Sequence, residues 1–316
     1  MKLSLSSCAT NRYVKNGTLT QTEAFSLIRS CGFSDTDLDI PAALVEGDLR
    51  ENAERVRDQL QQAGLTPSMA HAPDAYGIHL GADGAAEVYR QTLKFCQYAG
   101  VPRVVMHPIA QSGTRSTTFL AINRKLFSET VGATEETGVE LLIENIGNYA
   151  DPFFLWNGKA LRELIESVNH PMCGACWDVG HANHFLPKDC DQYESVTALG
   201  DRLKALHVHD NCGYFEDPRL HYRIDMHTFP FASGKTSVNY DALLQGLRDI
   251  HYAGTFNFEV DAICASMREP FVYHGETVRT LEIMPPEIWQ MFYRALYGMG
   301  RYMLGQYGLA EPEEEN

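Results

Sequence analysis

The chain has 316 residues, 44% of them hydrophobic, which suffices for one large domain or two ordinary domains with a substantial buried core. Its formal net charge of −15 disfavours extended contact with nucleic-acid phosphates or anionic membranes. No apolar run approaches the roughly 20 residues of a membrane span, and the N-terminal stretch lacks the sustained apolar segment of a secretory signal. We therefore expect a cytoplasmic protein.

Eight short hydrophobic segments divide the chain into repeating units. Several of them are almost continuously apolar, as expected of parallel strands that are covered on both faces. The amphipathic segments between them indicate helices. The predicted strands cover residues 2–7, 37–41, 67–73, 103–108, 140–145, 173–179, 203–209 and 255–260.

The segments between the predicted strands carry helix-boundary signals. Thr20, with Glu23 three residues later, forms a capping-box pattern that predicts a helix start. Gly64 and Gly100 each follow an amphipathic segment and precede the next strand, which predicts two helix ends. The repeated order of helix, glycine, short gap and apolar strand is typical of βα units.

Eight βα units predict an α/β fold, a single (β/α)8 barrel of the TIM-barrel class. The alternative is an open doubly wound sheet, but no glycine-rich dinucleotide motif follows the first strand. We assign residues 1–305 to the barrel domain and residues 306–316 to an acidic C-terminal tail.

Two connections are long for a barrel of this class. They are residues 210–239 after strand seven and residues 261–285 after strand eight. Long loops at the carboxyl ends of barrel strands usually carry function. Both contain arginines and aromatic residues, so we interpret them as walls or a lid of a substrate pocket. The alternative is a contact surface between two copies of the chain.

Residues that commonly bind metals stand at the ends of successive predicted strands. Because a closed parallel barrel brings these ends to one mouth, we expect their side chains to converge. Imidazoles together with carboxylates suit Zn²⁺, Mn²⁺, Co²⁺ or Fe²⁺, and suit Mg²⁺ less. The pattern predicts a metal-dependent enzyme. The residues are His71, His107, Glu144, Asp178, His181, His207, Asp225, His227 and Glu259.

Four of these residues, one from each of strands five to eight, form the minimal inner set: Glu144, Asp178, His207 and Glu259. Glu144 and Glu259 each end an apolar strand, where a buried carboxylate is costly unless it is paired or bound to a metal. We therefore predict that both glutamates are metal ligands. The other histidines could be additional ligands, substrate contacts or ordinary buried polar groups.

Four further residues are candidates for binding substrate. His209 could be a ligand but is better interpreted as an outer residue that supports the ligands. His209 and Lys235 could hold hydroxyl groups or relay protons, and Arg223 could hold a phosphate. Trp177 could stack on a sugar face, with ordinary core packing as the alternative.

The ordered motifs resemble one family. HAP, VVMHP, LLIEN, WDVGHA, HVHDN, DMHTFP and FEV follow one another between residues 67 and 260. They are similar to the strand-end motifs of the xylose-isomerase-like TIM-barrel superfamily, which contains sugar phosphate isomerases and epimerases, ketose 3-epimerases, inosose dehydratases and endonuclease IV. In its epimerase-like members one metal is held by Glu, Asp, His and Glu. The resemblance implies that Glu144, Asp178, His207 and Glu259 are the ligands, and that the two glutamates form the acid–base pair.

The resemblance to endonuclease IV implies two further metal positions. There the same four residues hold one of three zinc ions, and the others match His71, His107 and Glu144, and His181, Asp225 and His227. The ligand set alone therefore does not separate one metal from three. The N-terminal strand and the loop after His71 depart from the endonuclease pattern, and the loop over residues 210–239 contains acidic residues rather than clustered basic ones.

We therefore predict a metal-dependent isomerase or epimerase of a sugar, keto-sugar or sugar phosphate. A related lyase or dehydratase is the alternative, followed by a trinuclear zinc phosphodiesterase like endonuclease IV. The expected cofactor is a divalent ion, Mn²⁺ before Zn²⁺, Co²⁺ or Mg²⁺. The expected partner is a small sugar, with neither nucleic acid nor membrane, and assembly into a homo-oligomer is left open.

Overall fold

The computed structural model describes residues 1–73, 82–109, 116–146, 157–185, 191–211, 213, 227–260, 271–278 and 284–312. Within these residues, eight parallel strands form one sheet. They are β1 (Leu3–Ser6), β2 (Asp35–Asp39), β3 (Thr66–His71), β4 (Arg103–Met106), β5 (Glu140–Glu144), β6 (Cys173–Asp178), β7 (Leu203–His207) and β8 (Phe256–Phe258).

Helices connect consecutive strands and cover the outside of the sheet. They are α1 (Cys8–Lys15), α2 (Gln21–Ser30), α3 (Ala42–Val45), α4 (Leu49–Ala63), α5 (Ala82–Ala99), α6 (Ser116–Thr130), α7 (Gly132–Thr137), α8 (Gly158–Val168), α9 (Val179–Phe185), α10 (Gln192–Leu199), α11 (Tyr240–Asp249) and α12 (Pro286–Gln306). None of these helices is both long enough and apolar enough to cross a membrane.

The sheet closes into a barrel. From β1 to β7 each strand pairs in parallel with the next strand in the chain, and β1 also pairs with β8. The remaining gap, between β7 and β8, is bridged where Val208 N donates to Asn257 O at 2.8 Å and Glu259 N donates to Val208 O at 3.1 Å. The prediction of a single (β/α)8 barrel is confirmed.

The helix boundaries follow the signals in the sequence. At the start of α2, Thr20 accepts a hydrogen bond from Glu23 N, and the Glu23 carboxylate accepts one from Thr20 N at 2.7 Å, so the capping box is formed. Gly64 ends α4 with φ of 70°, a left-handed conformation that favours glycine.

The barrel interior has an apolar layer below a polar one. Met69, Val105, Leu142, Cys176 and Ala205 point inward from β3 to β7 and form a small buried cluster. Because side chains alternate along a strand, the next inward positions toward the carboxyl ends lie directly above this layer. Those positions are the polar strand ends predicted from the sequence.

The two long connections contain additional structure in their described parts. In residues 210–239, Asp210 forms an antiparallel bridge with Thr228, and a short 3-10 helix covers Gly234–Thr236. In residues 261–285, β9 (Phe271–Tyr273) and β10 (Glu276–Val278) form an antiparallel hairpin.

The two ends of the described chain are in contact. Near the C-terminus, Leu309 O accepts a hydrogen bond from the N-terminal amine at 2.5 Å.

Candidate metal centre

Four side chains converge at the carboxyl end of the barrel. Glu144, Asp178 and His207 are the last residues of β5, β6 and β7, and Glu259 follows β8 directly. The ligand atoms of all four lie within 4.8 Å of one another. The Glu144, Asp178 and His207 side chains are 0–1% exposed, whereas that of Glu259 is 12% exposed. The cluster is therefore buried but opens to the mouth at Glu259.

His207 lies at the centre of this cluster. Its Nδ1 is 3.0 Å from Glu144 Oε1 and 3.2 Å from Glu259 Oε2. The same nitrogen is 4.0 Å from Asp178 Oδ2. Three carboxylates, from the ends of β5, β6 and β8, thus face one imidazole nitrogen, which is a donor set that divalent transition metals accept.

Two carboxylates of the cluster, those of Glu144 and Asp178, are held ionised. Burial by itself would raise the pKa of Glu144, but the charges of His207 and His107 outweigh burial and hold that pKa well below its usual range. Burial would also raise the pKa of Asp178, but the charges of His181 and His209 outweigh it and lower the pKa from 3.8 to about 2. Ionised carboxylates are the form that binds a metal.

On one side of the centre, two histidines face Glu144. His107 Nε2 is 3.1 Å and His71 Nε2 is 3.4 Å from Glu144 Oε2, and the two nitrogens are 3.0 Å apart. His71 Nδ1 donates to Ala72 O at 2.8 Å, which leaves Nε2 to face the carboxylate. Three donor atoms therefore meet at a second point beside the central cluster.

On the other side, three histidines surround Asp178 and Glu259. His209 Nε2 lies 3.0 Å from Asp178 Oδ1, and its ring stacks on His227 with 3.9 Å between the ring centroids. His181 Nδ1 donates to Asn145 O at 3.0 Å and lies 3.7 Å from Asp178 Oδ2.

The backbone of His227 is also unusual. Its φ is 38°, in the left-handed region that residues other than glycine rarely adopt. The imidazole Nδ1 of His227 donates to Glu259 O at 3.1 Å. Strained backbone of this kind is often found at functional sites.

The remaining predicted residues lie in different places. Asp225 and Arg223 lie outside the described residues. Lys235 is exposed on the 3-10 helix of the long connection. Trp177 is fully buried and donates from Nε1 to Gln192 Oε1 at 2.9 Å, so its side chain is directed to the helix layer and away from the mouth. This placement favours core packing over sugar stacking for Trp177.

The structure adds three residues that were not among the predicted site residues. Asn145 clamps the end of β6, because its side chain donates to Asp178 O at 2.8 Å and accepts from Asp178 N at 2.7 Å. Gly180 leaves room for the ring of His209. Asp37, on β2, lies beside His207 inside the barrel. Its signal in the sequence is the alternation of aspartates at 35, 37 and 39, which places three carboxylates on one strand face.

The donor set fits a divalent metal. Three carboxylates with ligand atoms this close repel one another, so they require a compensating positive charge. Without a cation, His71 supplies positive charge. Burial by itself would lower the pKa of His71, but the hydrogen bond to Glu144 and the charge of that carboxylate outweigh burial and raise the pKa from 6.5 to about 9. A bound cation would replace the proton on His71.

We expect the stabilisation by a divalent ion to increase with pH. Since the folded-state pKa of His71 lies above its unfolded value, its attraction to Glu144 stabilises the metal-free protein below pH 6.5 and is lost as the pH rises through about 9. Fewer protons then compete with the ion. The rise in Tm on adding Mn²⁺ should therefore be larger at pH 8.5 than at pH 6.5. Thermal melts with and without the ion measure this, and a rise that shrinks with pH would contradict it.

Gly180→Ala is expected to displace His209. A methyl group at this position would lie 2.0 Å from Cε1 of His209, whose ring is completely buried. Such overpacking typically costs about 1–3 kcal/mol. Gly298→Ala in α12 is the control, because no atom of the described residues lies within 4 Å of the added methyl. Urea unfolding should show a loss of stability for the first variant alone, and equal stability for both would refute this packing argument.

The fold and the site together define a barrel with a cluster of potential metal-binding residues at the carboxyl ends of its strands. The model of the xylose isomerase-like TIM barrel family matches residues 25–278. The chain therefore belongs to this family.

Two sets of known proteins are similar to the chain. The probable endonuclease 4 of Geobacter sp. (strain M21) is 27% identical over 51% of this chain and 61% of its own length, and that of Bacillus subtilis (strain 168) is 24% identical over 51% and 57%. The chain thus spans about three fifths of the length of these relatives.

Among solved structures, D-psicose 3-epimerase from Clostridium cellulolyticum H10 with D-tagatose has a TM-score of 0.68 and 14% identity, covering 96% of this chain and 99% of its own. The IOLI protein with a binding zinc atom has a TM-score of 0.65 and 15% identity, covering 97% and 98%. At these identities the structural likeness shows the fold alone.

Proposed function

We propose that this protein is a metal-dependent sugar isomerase or epimerase, which moves a proton at a carbon next to a carbonyl group. One observation carries the proposal. Glu144 and Glu259 both approach His207, and all three belong to one group of side chains that could hold a metal ion. Two carboxylates beside one bound substrate can act as the base and the acid. Epimerases acting on ketoses are among the structural neighbours, which supports the same assignment.

Glu144, Asp178, His207 and Glu259 would hold the ion, with Mn²⁺ the expected species and Zn²⁺, Co²⁺ or Mg²⁺ the alternatives. When bound, the ion would supply positive charge that stabilises negative charge on the substrate carbonyl oxygen. Glu259 is the most exposed of the four ligands and can therefore reach a substrate from the mouth. We assign it as the group that takes the proton from carbon.

The electron pair of the broken C–H bond moves onto the carbonyl oxygen. A proton returned from the Glu144 side to the opposite face of the same carbon gives epimerisation. A proton returned to the adjacent carbon, with proton transfer between the oxygens, gives isomerisation. Loss of a hydroxyl group from the neighbouring carbon would instead give the lyase or dehydratase reaction, so the product distinguishes these outcomes.

A phosphodiesterase is the second candidate. Its support is the second meeting point of donors at His71, His107 and Glu144, together with the endonuclease 4 relatives. Phosphodiesterases commonly use several metal ions about 3.5–4 Å apart to activate water and to stabilise the leaving oxygen. The net charge of −15 disfavours a DNA duplex as substrate.

The proposal is tested with metal-loaded protein and a panel of ketoses in deuterium oxide. Deuterium should enter the carbon next to the carbonyl, and chelator treatment should stop it. The same preparation is given DNA that contains an abasic site. Cleavage of that DNA without exchange into any ketose would refute the sugar assignment and support the second candidate.

A further inference from the structure

His207 presents a polar contact on each edge of its ring. Its Nδ1 faces Glu144 and Glu259, as described above, and its Nε2 lies 3.3 Å from Asp37 Oδ2. Both His207 and Asp37 are completely buried. The imidazole therefore lies between the ligand cluster at the mouth and a single carboxylate inside the barrel.

Asp37 reaches His207 from across the interior. On β2 it pairs with Ser6 of β1 and Met69 of β3, and it lies on the strand face shared with Asp35 and Asp39. A carboxylate buried beside the apolar layer of Met69 is costly unless it has a polar partner. Asp37 contacts His207, and Asn257 Nδ2 lies 3.5 Å from Asp37 Oδ2.

This buried pair is close but not fully hydrogen-bonded. His207 Nε2 and Asp37 Oδ1 make no hydrogen bond to the described part of the chain. The separation of 3.3 Å between Nε2 and Oδ2 is that of an ion pair whose N–H direction is not aligned. Two unsatisfied atoms of complementary chemistry thus lie on neighbouring side chains in a closed interior. A buried pair in this state contributes little to stability, which indicates another role.

We propose that Asp37 is a positioning residue, whose carboxylate attracts the Nε2–H of His207 and thereby keeps the Nδ1 lone pair directed at the ligand cluster. This role of Asp37 rests on the metal dependence in the proposed function. A histidine that binds metal through one nitrogen carries its proton on the other, and a carboxylate on that proton fixes the tautomer and ring orientation. Asp37 Oδ2 is the carboxylate oxygen that the structure places beside Nε2.

Asp37→Asn tests this role without changing the side-chain volume. We expect its affinity for Mn²⁺ and Zn²⁺, measured by competition with a chelator, to fall by about 10–100-fold. Asp35→Asn is the matched control, since Asp35 is also buried on the same strand face but pairs with Lys2 at 3.8 Å. It should bind both ions as tightly as the unaltered protein. Equal affinity in Asp37→Asn would overturn the proposal.

A second measurement does not depend on a variant that folds. Nitrogen-15 NMR of histidine-labelled, zinc-loaded protein reports which nitrogen of His207 carries the proton. We expect zinc on Nδ1 and the proton on Nε2, and the reverse assignment would overturn the role of Asp37. Unaltered protein that binds neither ion would instead refute the metal dependence in the proposed function. Failure of the proposed role of Asp37 and failure of the proposed metal dependence therefore give different results.

Discussion

Replacing Glu144 by glutamine is expected to remove metal binding and activity together. The Glu144 carboxylate contacts His71, His107 and His207, so it belongs both to the central cluster and to the second meeting point. Loss of an outer residue around a metal typically lowers affinity by about 10–100-fold, and loss of a direct ligand should exceed about 100-fold. Glutamine keeps the shape of the side chain but cannot compensate the neighbouring positive charges.

Metal content after dialysis and turnover of the same sample measure this effect. Glu140→Gln is the matched control, because Glu140 begins the strand that Glu144 ends and pairs with Arg103 at 3.3 Å, at the opposite end of the barrel. The control should retain its metal. A Glu144→Gln protein that binds the ion as well as the control would show that Glu144 is not a ligand.

Glu259→Gln is expected to separate metal binding from proton transfer. At 12% exposure its carboxylate is the one ligand of the central four that opens to the mouth, and we assign it the first proton transfer. Loss of a general base typically lowers the rate by about 10²–10⁴-fold. Three ligands remain in this variant, so metal that is added in excess should still bind.

The measurement is deuterium incorporation from solvent into the ketose that the unaltered enzyme converts. It is made at a metal concentration that saturates the variant, so that weaker binding does not contribute. We expect the rate of deuterium exchange at the carbon next to the carbonyl to fall by the same factor as the turnover rate. Exchange at the full rate with the metal bound would remove Glu259 from the acid–base role and leave it as a ligand alone.

The convergence of the site could be predicted because ligand types coincide with strand ends. Glu144 and His207 each follow an apolar run, and the closure of a parallel barrel fixes where such positions meet. The alternation of side chains also accounts for Trp177, which lies between the inward-facing Cys176 and Asp178 and must face outward. Because side chains alternate along β6, the Trp177 side chain is buried on the side of the helices.

The contacts across the barrel could not be predicted in this way. Asp37 belongs to a strand with no metal-type motif, and its approach to His207 depends on the tilt and stagger of the whole sheet. The stacking of His209 on His227 depends on the conformation of a long connection and on the small size of Gly180. The alternation of aspartates at 35, 37 and 39 indicates an acidic strand face, but spacing along the chain gives neither contact.

We propose above that Glu144, Asp178, His207 and Glu259 hold a divalent ion. Anomalous diffraction from a crystal grown with Mn²⁺, recorded at an energy where manganese scatters anomalously, tests it most directly. We expect one strong difference peak among these four side chains. Further peaks at His71 and His107 or at His181 and His227 would favour the phosphodiesterase. Density without any peak among the four residues would contradict the account.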